Sequence, residues 1–140
     1  MDERSEIHLA GVHPDLVRAI RAAPQEPQPF IVICGLRSPS AEAAAVDSGH
    51  SQTLHSRHLP NRHGLACAVD VMPIIDGEPS FAVGHEAQVY GQIASQIAAA
   101  GVALLAPVEW GGAAVGAWEP GVVSHFRDWG HFQLPWKEYT

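Results

Sequence analysis

The stretch from Ser56 to Asp70 constrains this chain most, because it ends with a carboxylate inside an apolar segment. Residues 66–72 read Ala-Cys-Ala-Val-Asp-Val-Met, which is typical of a buried strand. A buried carboxylate is unfavourable unless it is paired or binds a metal. The same stretch carries His58 and His63, so we expect Asp70 to share its site with an imidazole or a metal ion.

A second stretch, residues 128–134, has the same character, with an acid and a histidine among apolar residues. A catalytic zinc site takes three ligands from His, Asp, Glu or Cys and keeps one position for water. A nearby carboxylate can accept the proton of that water. The two stretches together offer the three ligands and the extra acid: His58 or His63, Asp70, His131 and Asp128. We therefore expect them to meet around one zinc ion.

Helical and strand-like segments occur without regular βαβ alternation, which predicts a small α+β domain. We expect one domain over residues 1–140, with an antiparallel sheet flanked by helices. Helices are predicted at 13–23, 40–46 and 82–100, the last capped by Gly101. Strands are predicted at 30–34, 66–72, 102–105 and 131–134, an Asp-Gly turn at 76–77, a polar loop at 47–64 and an irregular segment at 108–128.

Composition excludes several classes of protein. Of the 140 residues, 46% are apolar and 16% are charged, which indicates a folded globular chain. The net charge of −7 disfavours a nucleic-acid binder, which needs a basic face. No apolar run is long enough to cross a membrane, and the acidic N-terminus is unlike a secretory signal. We expect a monomer without nucleic-acid or membrane partners, and buried free thiols at Cys34 and Cys67.

Short motifs along the chain form a recognisable series. In chain order they are Gly-Val-His-Pro-Asp-Leu-Val at 11–17, Gly-Leu-Arg-Ser at 35–38, Ser-Arg-His at 56–58 followed by Gly64, Ala-Val-Asp at 68–70 with Pro73 after it, Trp-Gly-Gly at 110–112 and Asp-Trp-Gly-His-Phe at 128–132. Together they resemble the zinc D-alanyl-D-alanine carboxypeptidase and L-alanyl-D-glutamate endopeptidase family, which includes many phage endolysins. The resemblance runs from about Leu9 to Leu134 and implies a hedgehog/D-Ala-D-Ala peptidase-like fold.

The resemblance also implies roles for individual residues. It makes zinc the cofactor and a peptidoglycan stem peptide the substrate. The implied roles are zinc ligand for His58, Asp70 and His131, general base for Asp128, substrate or oxyanion binding for Arg37, and substrate binding for Ser56 and Trp110.

Two departures from the family pattern affect these assignments. His63 lies seven positions before Asp70, as in the shorter family members, whereas His58 lies twelve before it. His58 keeps the approach sequence with Ser56, which favours an inserted loop over residues 60–65, and His63 stays the alternative ligand. The segment after the Trp-Gly-Gly motif is also longer than usual, and its residues are expected to line the substrate groove.

The expected activity is hydrolysis of the L-alanyl-D-glutamate bond by an endolysin-like zinc metallopeptidase. The alternatives are a D-alanyl-D-alanine carboxypeptidase and a non-catalytic zinc-binding domain of the same fold. A structural or virion component with an incidental His-rich loop is a further reading. A lysin of this type is expected in the cytoplasm until a separate membrane pore releases it to the cell wall.

Overall fold

A computed structural model of the chain describes residues 1–38, 57–112 and 128–139. These residues form three helices and five strands. The helices are α1 (Glu3–Leu9), α2 (Pro14–Ala22) and α3 (Glu86–Ala103), and the strands are β1 (Phe30–Cys34), β2 (Ala68–Ile75), β3 (Glu78–Pro79), β4 (Glu109–Trp110) and β5 (His131–Gln133). No helix among the described residues is long and apolar enough to span a membrane.

The five strands form one antiparallel sheet. Its main path is β1-β2-β5-β4, and β3 pairs with β2 beyond the Asp-Gly turn. Strand β2 is central, and its register sets Asp70 opposite Cys34 of β1 and His131 of β5. The predicted α+β class with an antiparallel sheet is therefore confirmed, and the two sequence stretches meet on adjacent strands.

The helices pack their apolar faces against this sheet. The largest fully buried side chains come from both layers: Leu16 and Ile20 of α2, Ile93 and Ile97 of α3, and Phe30, Val32, Val69, Val71, Phe132 and Leu134 of the sheet side. Each such side chain stabilises the fold by about 1.5–3 kcal/mol relative to exposure. The core thus fixes β2 and β5 rigidly beneath the residues that carry the polar chemistry.

Helix α1 was not predicted from the sequence, although its start carries a recognisable signal. The Asp2 carboxylate accepts a hydrogen bond of 2.9 Å from the Ser5 amide, and Glu3 and Glu6 lie in the first turn. The buried Ser5 hydroxyl accepts from the Val32 amide at 3.0 Å and so joins α1 to β1. The helix was missed because a helix of seven residues has too few apolar side chains to show a helical spacing in the sequence.

Three predicted boundaries were wrong. Strand β2 begins at Ala68 and continues through Pro73 to Ile75 rather than running from 66 to 72. Helix α3 begins at Glu86 rather than Ala82, because Ala82 has a left-handed φ of 54°. The predicted strand at 102–105 is instead the end of α3 and the turn after it.

Gly101 lies inside α3 and was wrongly predicted as its cap. The chain folds back over the helix at this point, and the Ala106 amide donates to the Gly101 carbonyl at 2.8 Å. A Cβ on Gly101 would lie 2.6 Å from the Ala106 carbonyl oxygen. The glycine is therefore needed for close backbone approach, not for termination of the helix.

Other predictions agree with the structure. Strands β1 and β5, helix α2 and the Asp76-Gly77 turn, with φ values of 53° and 82°, are confirmed. Both thiols are free, and Cys67 is buried as expected, whereas Cys34 is only half-buried. The predicted helix at 40–46, most of the loop at 47–64 and most of the segment at 108–128 lie outside the described residues.

Candidate metal centre and active site

The centre of the site is Asp70, which lies between two histidines. Its Oδ1 atom is 3.2 Å from Nε2 of His58 and 3.4 Å from Nδ1 of His131. Both imidazoles are buried, and their ring centroids are 5.1 Å apart with the planes at 78°. One carboxylate oxygen and two ring nitrogens therefore converge on one point, although His58 and His131 are far apart in sequence.

Hydrogen bonds on the far sides of the rings determine which nitrogens face Asp70. Nδ1 of His58 lies 2.8 Å from the Gly35 carbonyl oxygen, which can only accept, so this nitrogen carries the proton. Nε2 of His131 lies 2.8 Å from Oε1 of Gln133 and donates to it. The Gln133 amide is held in this orientation because its nitrogen faces Oε1 of Glu109 at 3.5 Å. In the neutral state, both imidazoles thus direct lone pairs toward Asp70.

These residues fit a bound cation. Oδ1 of Asp70 is buried, and while both imidazoles are neutral it accepts no hydrogen bond from the described part of the chain. Two imidazole lone pairs that face a carboxylate oxygen repel it unless a proton or a metal ion lies between them. Two overlapping groups have the spacing of metal ligands, Cys34 with His58 and Asp70, and Asp70 with Asp128 and His131. The site is therefore a possible metal centre built around Asp70.

Without a metal, protons take the place of the cation. Burial opposes the charged form of His58, but the Asp70 carboxylate outweighs burial and raises the pKa of His58 well above its usual value. Burial also opposes the charged form of His131, but the hydrogen bond that the protonated ring makes with Asp70 outweighs burial and raises the pKa of His131. Burial by itself would raise the pKa of Asp70, but the two histidines hold it well below its usual range. Metal binding must therefore displace protons from this site.

Asp128 lies at the open side of the centre. Its Oδ2 is 3.9 Å from Nδ1 of His131, and its side chain is 34% exposed. Burial raises the pKa of Asp128, and the charge of Asp70 adds to the effect while His131 opposes it. Gly111 makes this position possible, because a Cβ there would lie 2.6 Å from the Asp128 carbonyl oxygen. This close approach gives a physical reason for a glycine in the Trp-Gly-Gly motif.

Arg37 supplies the positive charge of the site. Its guanidinium lies 3.6 Å from Oδ2 of Asp70, and it donates to the Cys34 sulfur at 3.3 Å. The Arg37 amide donates to the His58 carbonyl at 2.8 Å, so the turn after β1 is fixed to the loop that carries His58.

A cavity of about 410 Å³ opens beside these groups. Its lining includes the charged groups Arg37, Asp70, Asp128 and Glu86, together with Phe81, Val83 and Tyr90. Phe81 and Val83 are 62% and 84% exposed at its rim. A carboxylate, a guanidinium and a possible metal centre in one cleft have the chemistry needed to hydrolyse a polar substrate.

Comparison with known proteins agrees with this geometry. The family model for phage L-alanyl-D-glutamate peptidase matches residues 1–134. This chain belongs to that family. A crystal structure of the L-Ala D-Glu endopeptidase ChiX from Serratia marcescens matches 99% of this chain and 92% of its own, with 38% identity and a TM-score of 0.77. No curated protein sequence matches the chain.

Membership confirms the family, the fold and the activity predicted from the motifs. The chain is a peptidase of the L-alanyl-D-glutamate type that acts on peptidoglycan, and the endopeptidase expectation is supported over the carboxypeptidase alternative. The metal centre is consistent with a metallopeptidase.

The remaining residues named from the sequence are the alternative ligand His63 and the expected substrate-binding residues Trp110 and Ser56. His63 is exposed and its ring is 3.2 Å from the Arg62 guanidinium, so the structure does not bring it to Asp70. Trp110 donates from its indole to the Trp129 carbonyl at 2.7 Å and packs on the Trp129 ring. Ser56 lies outside the described residues.

Sequence reasoning did not assign Cys34, Gln133 and Tyr90 to the site of the peptidase. Gln133 follows His131 by two positions, so the alternation of β5 places both side chains on one face of the strand. That signal was present in the sequence. The Cys34 and Tyr90 positions depend on the β1–β2 register and on helix packing, for which no local signal exists.

Proposed function

We propose that this peptidase is zinc-dependent and that His58, Asp70 and His131 are its three protein ligands. Three nitrogen and oxygen donors are the usual set of a catalytic zinc site, which keeps one position for water. The support is the convergence of two lone-pair nitrogens on the buried Asp70 oxygen. Gly35 and Gln133 act as the outer partners that orient the two imidazoles.

Cys34 is the competing ligand, and its position argues against that role. Its sulfur lies 3.9 Å from Nδ1 of His58, the nitrogen that donates to the Gly35 carbonyl. The sulfur therefore approaches the ring nitrogen that carries the proton, not the nitrogen that faces Asp70. Its thiol is more simply explained as the acceptor for Arg37.

The reaction follows from the polar groups around this centre. A zinc ion bound there would polarise the scissile carbonyl and acidify its bound water. Asp128 accepts the proton as the water oxygen attacks the carbonyl carbon, and it returns the proton to the amine nitrogen when the C–N bond breaks. The raised pKa of Asp128, caused by burial, favours this proton uptake.

Arg37 has a supporting electrostatic role. Its guanidinium faces the same cavity as Asp128 and lies 3.6 Å from Oδ2 of Asp70. We propose that it balances negative charge on the tetrahedral intermediate or on a substrate carboxylate. Its bond to the Cys34 sulfur fixes the guanidinium in place before substrate binds.

Digestion of purified peptidoglycan with mass analysis of the fragments tests the activity and its metal dependence together. We expect new N-terminal glutamate, loss of cleavage after treatment with a chelator, and recovery with added zinc. Activity that survives complete removal of zinc would contradict the proposal.

Asp128→Asn tests the base. Loss of a general base lowers turnover by roughly 10²- to 10⁴-fold, and zinc content should stay at one ion per chain. The matched control is Asp76→Asn in the hairpin turn, where φ is 53° and asparagine is tolerated. We expect this control to cleave at the wild-type rate. Wild-type turnover in Asp128→Asn removes Asp128 from its assigned role.

We also propose that residues 1–140 act as one domain and one monomer, without nucleic-acid or membrane partners. The support is that, among the described residues, one cluster of buried apolar side chains joins residues as distant as Leu9, Ile97 and Leu134. The phage family description further supports synthesis in the cytoplasm and later release to the cell wall.

A further inference from the structure

Tyr90 lies in the wall of the substrate cavity, which Arg37 also lines. It stands on α3, its side chain is 4% exposed, and it shares the cavity with Asp70 and Asp128. Its ring fits against Gly130, where a Cβ would lie 3.5 Å from Cε1 of Tyr90. The ring is therefore held by packing, and the cavity is the open space next to it.

The Tyr90 hydroxyl makes no hydrogen bond within the described parts of the chain, and its oxygen is not sealed from solvent although the residue as a whole is buried. The hydroxyl is therefore open to the cavity that Tyr90 lines. Tyr139 shows the ordinary arrangement, since its hydroxyl donates to Oδ2 of Asp15 at 2.9 Å. A hydroxyl that is fixed in a cavity wall and has no protein acceptor is suited to an acceptor on a ligand.

The charges around Tyr90 define what that ligand atom can be. Burial, followed by the negative charges of Asp128 and Glu86, raises the pKa of Tyr90 to about 12. The phenol therefore stays protonated and can donate throughout the neutral range. A metal ion bound at Asp70 would offset the charge of Asp70 but not the charge of Glu86. A carboxylate of the ligand would therefore be repelled near Tyr90, whereas an uncharged amide carbonyl oxygen would not.

We propose that the Tyr90 hydroxyl donates a hydrogen bond to an amide carbonyl oxygen of the bound peptide, and that Tyr90 is a substrate-binding residue of this peptidase. This inference rests on the proposed function, because it takes the cavity beside Asp128 as the peptide site. It adds an uncharged donor on α3 to the charged groups of β2 and of the loops.

Tyr90→Phe is the test, because it removes one oxygen and keeps the ring. Loss of a neutral hydrogen bond of about 1–1.4 kcal/mol should lower kcat/KM by roughly 5- to 10-fold. Zinc content and melting temperature should match those of the wild type. The assay uses a synthetic stem peptide with an L-alanyl-D-glutamate bond, in one form with a free α-carboxylate on the glutamate and in another with that group amidated. We expect the same fold loss with both substrates.

Tyr139→Phe is the matched control, because it removes a hydroxyl that bonds to Asp15 away from the cavity. It should lower stability slightly and leave kcat/KM unchanged. Wild-type kcat/KM in Tyr90→Phe overturns the proposal, and so does a loss confined to the substrate with the free carboxylate. The inactive Asp128→Asn variant, assayed in parallel, separates the outcomes: if it loses turnover while Tyr90→Phe is unaffected, the inference on Tyr90 fails and the proposed function stands.

Discussion

Replacement of Gln133 by methionine is the sharpest test of how the metal centre is held. Gln133 is fully buried, and its Oε1 accepts from Nε2 of His131 at 2.8 Å. Methionine has nearly the same length and volume but cannot accept this bond, so the His131 ring loses the partner that fixes its tautomer and orientation. Loss of such an outer partner weakens metal binding by roughly 10- to 100-fold, or about 1.4–2.7 kcal/mol.

The assay is competition for zinc against a chromogenic chelator, together with thermal unfolding of the metal-free protein. Gln96→Met is the matched control. Gln96 is also buried, and its amide donates to the carbonyls of Pro24 and Gln28 at 2.6 and 2.9 Å and accepts from the Gln28 amide at 3.0 Å, away from the metal centre. This control should lose about 1–3 kcal/mol of stability and keep its zinc affinity.

The two variants together separate a specific effect from general destabilisation. If Gln133→Met binds zinc within twofold of wild type, the outer-partner argument is wrong. If Gln96→Met weakens zinc binding as much as Gln133→Met, the effect is a general consequence of lost stability and the reasoning is refuted.

The remaining predictions concern the ligands themselves. His58→Ala should abolish stoichiometric zinc binding and His63→Ala should leave it intact, as measured by metal analysis after dialysis; the opposite result would make His63 the ligand. Zinc binding should also release protons near neutral pH, because Asp70 raises the pKa values of His58 and His131 in the metal-free site. The zinc affinity should then rise with pH until the pH exceeds those raised pKa values. Calorimetry in buffers of different ionisation enthalpy detects the proton release. Identical binding enthalpies in all buffers would exclude it.

Much of the site could be predicted from residue type and spacing. Asp70 stands inside an apolar strand, and this alone indicates a partner or a metal, because an isolated buried carboxylate is strongly unfavourable. His131 and Asp128 follow from the second stretch by the same argument. The strands that carry Asp70 and His131 were therefore found, although the exact ends of β2 and α3 were not.

Element ends were missed where tertiary contacts override local preference. Residues 102–105 have strand-like side chains, yet the helix continues through Gly101 because the chain folds back over it. Pro73 was taken as a strand end, but it lies in β2 opposite Phe30, and the chain continues to Ile75. Neither contact is visible in a local window of sequence.

The sequence by itself determined the chemistry of the centre, because two histidines and two aspartates in apolar surroundings restrict what a folded chain can do with them. Only the tertiary structure decided which histidine lies beside Asp70. Oδ1 of Asn61 accepts from the amides of His63 and Leu65, which closes a tight turn with His63 at the surface. Hydrogen bonds of the His58 segment to the turn after β1 bring His58 inward. Such pairings join residues that are distant in sequence, so spacing along the chain does not encode them.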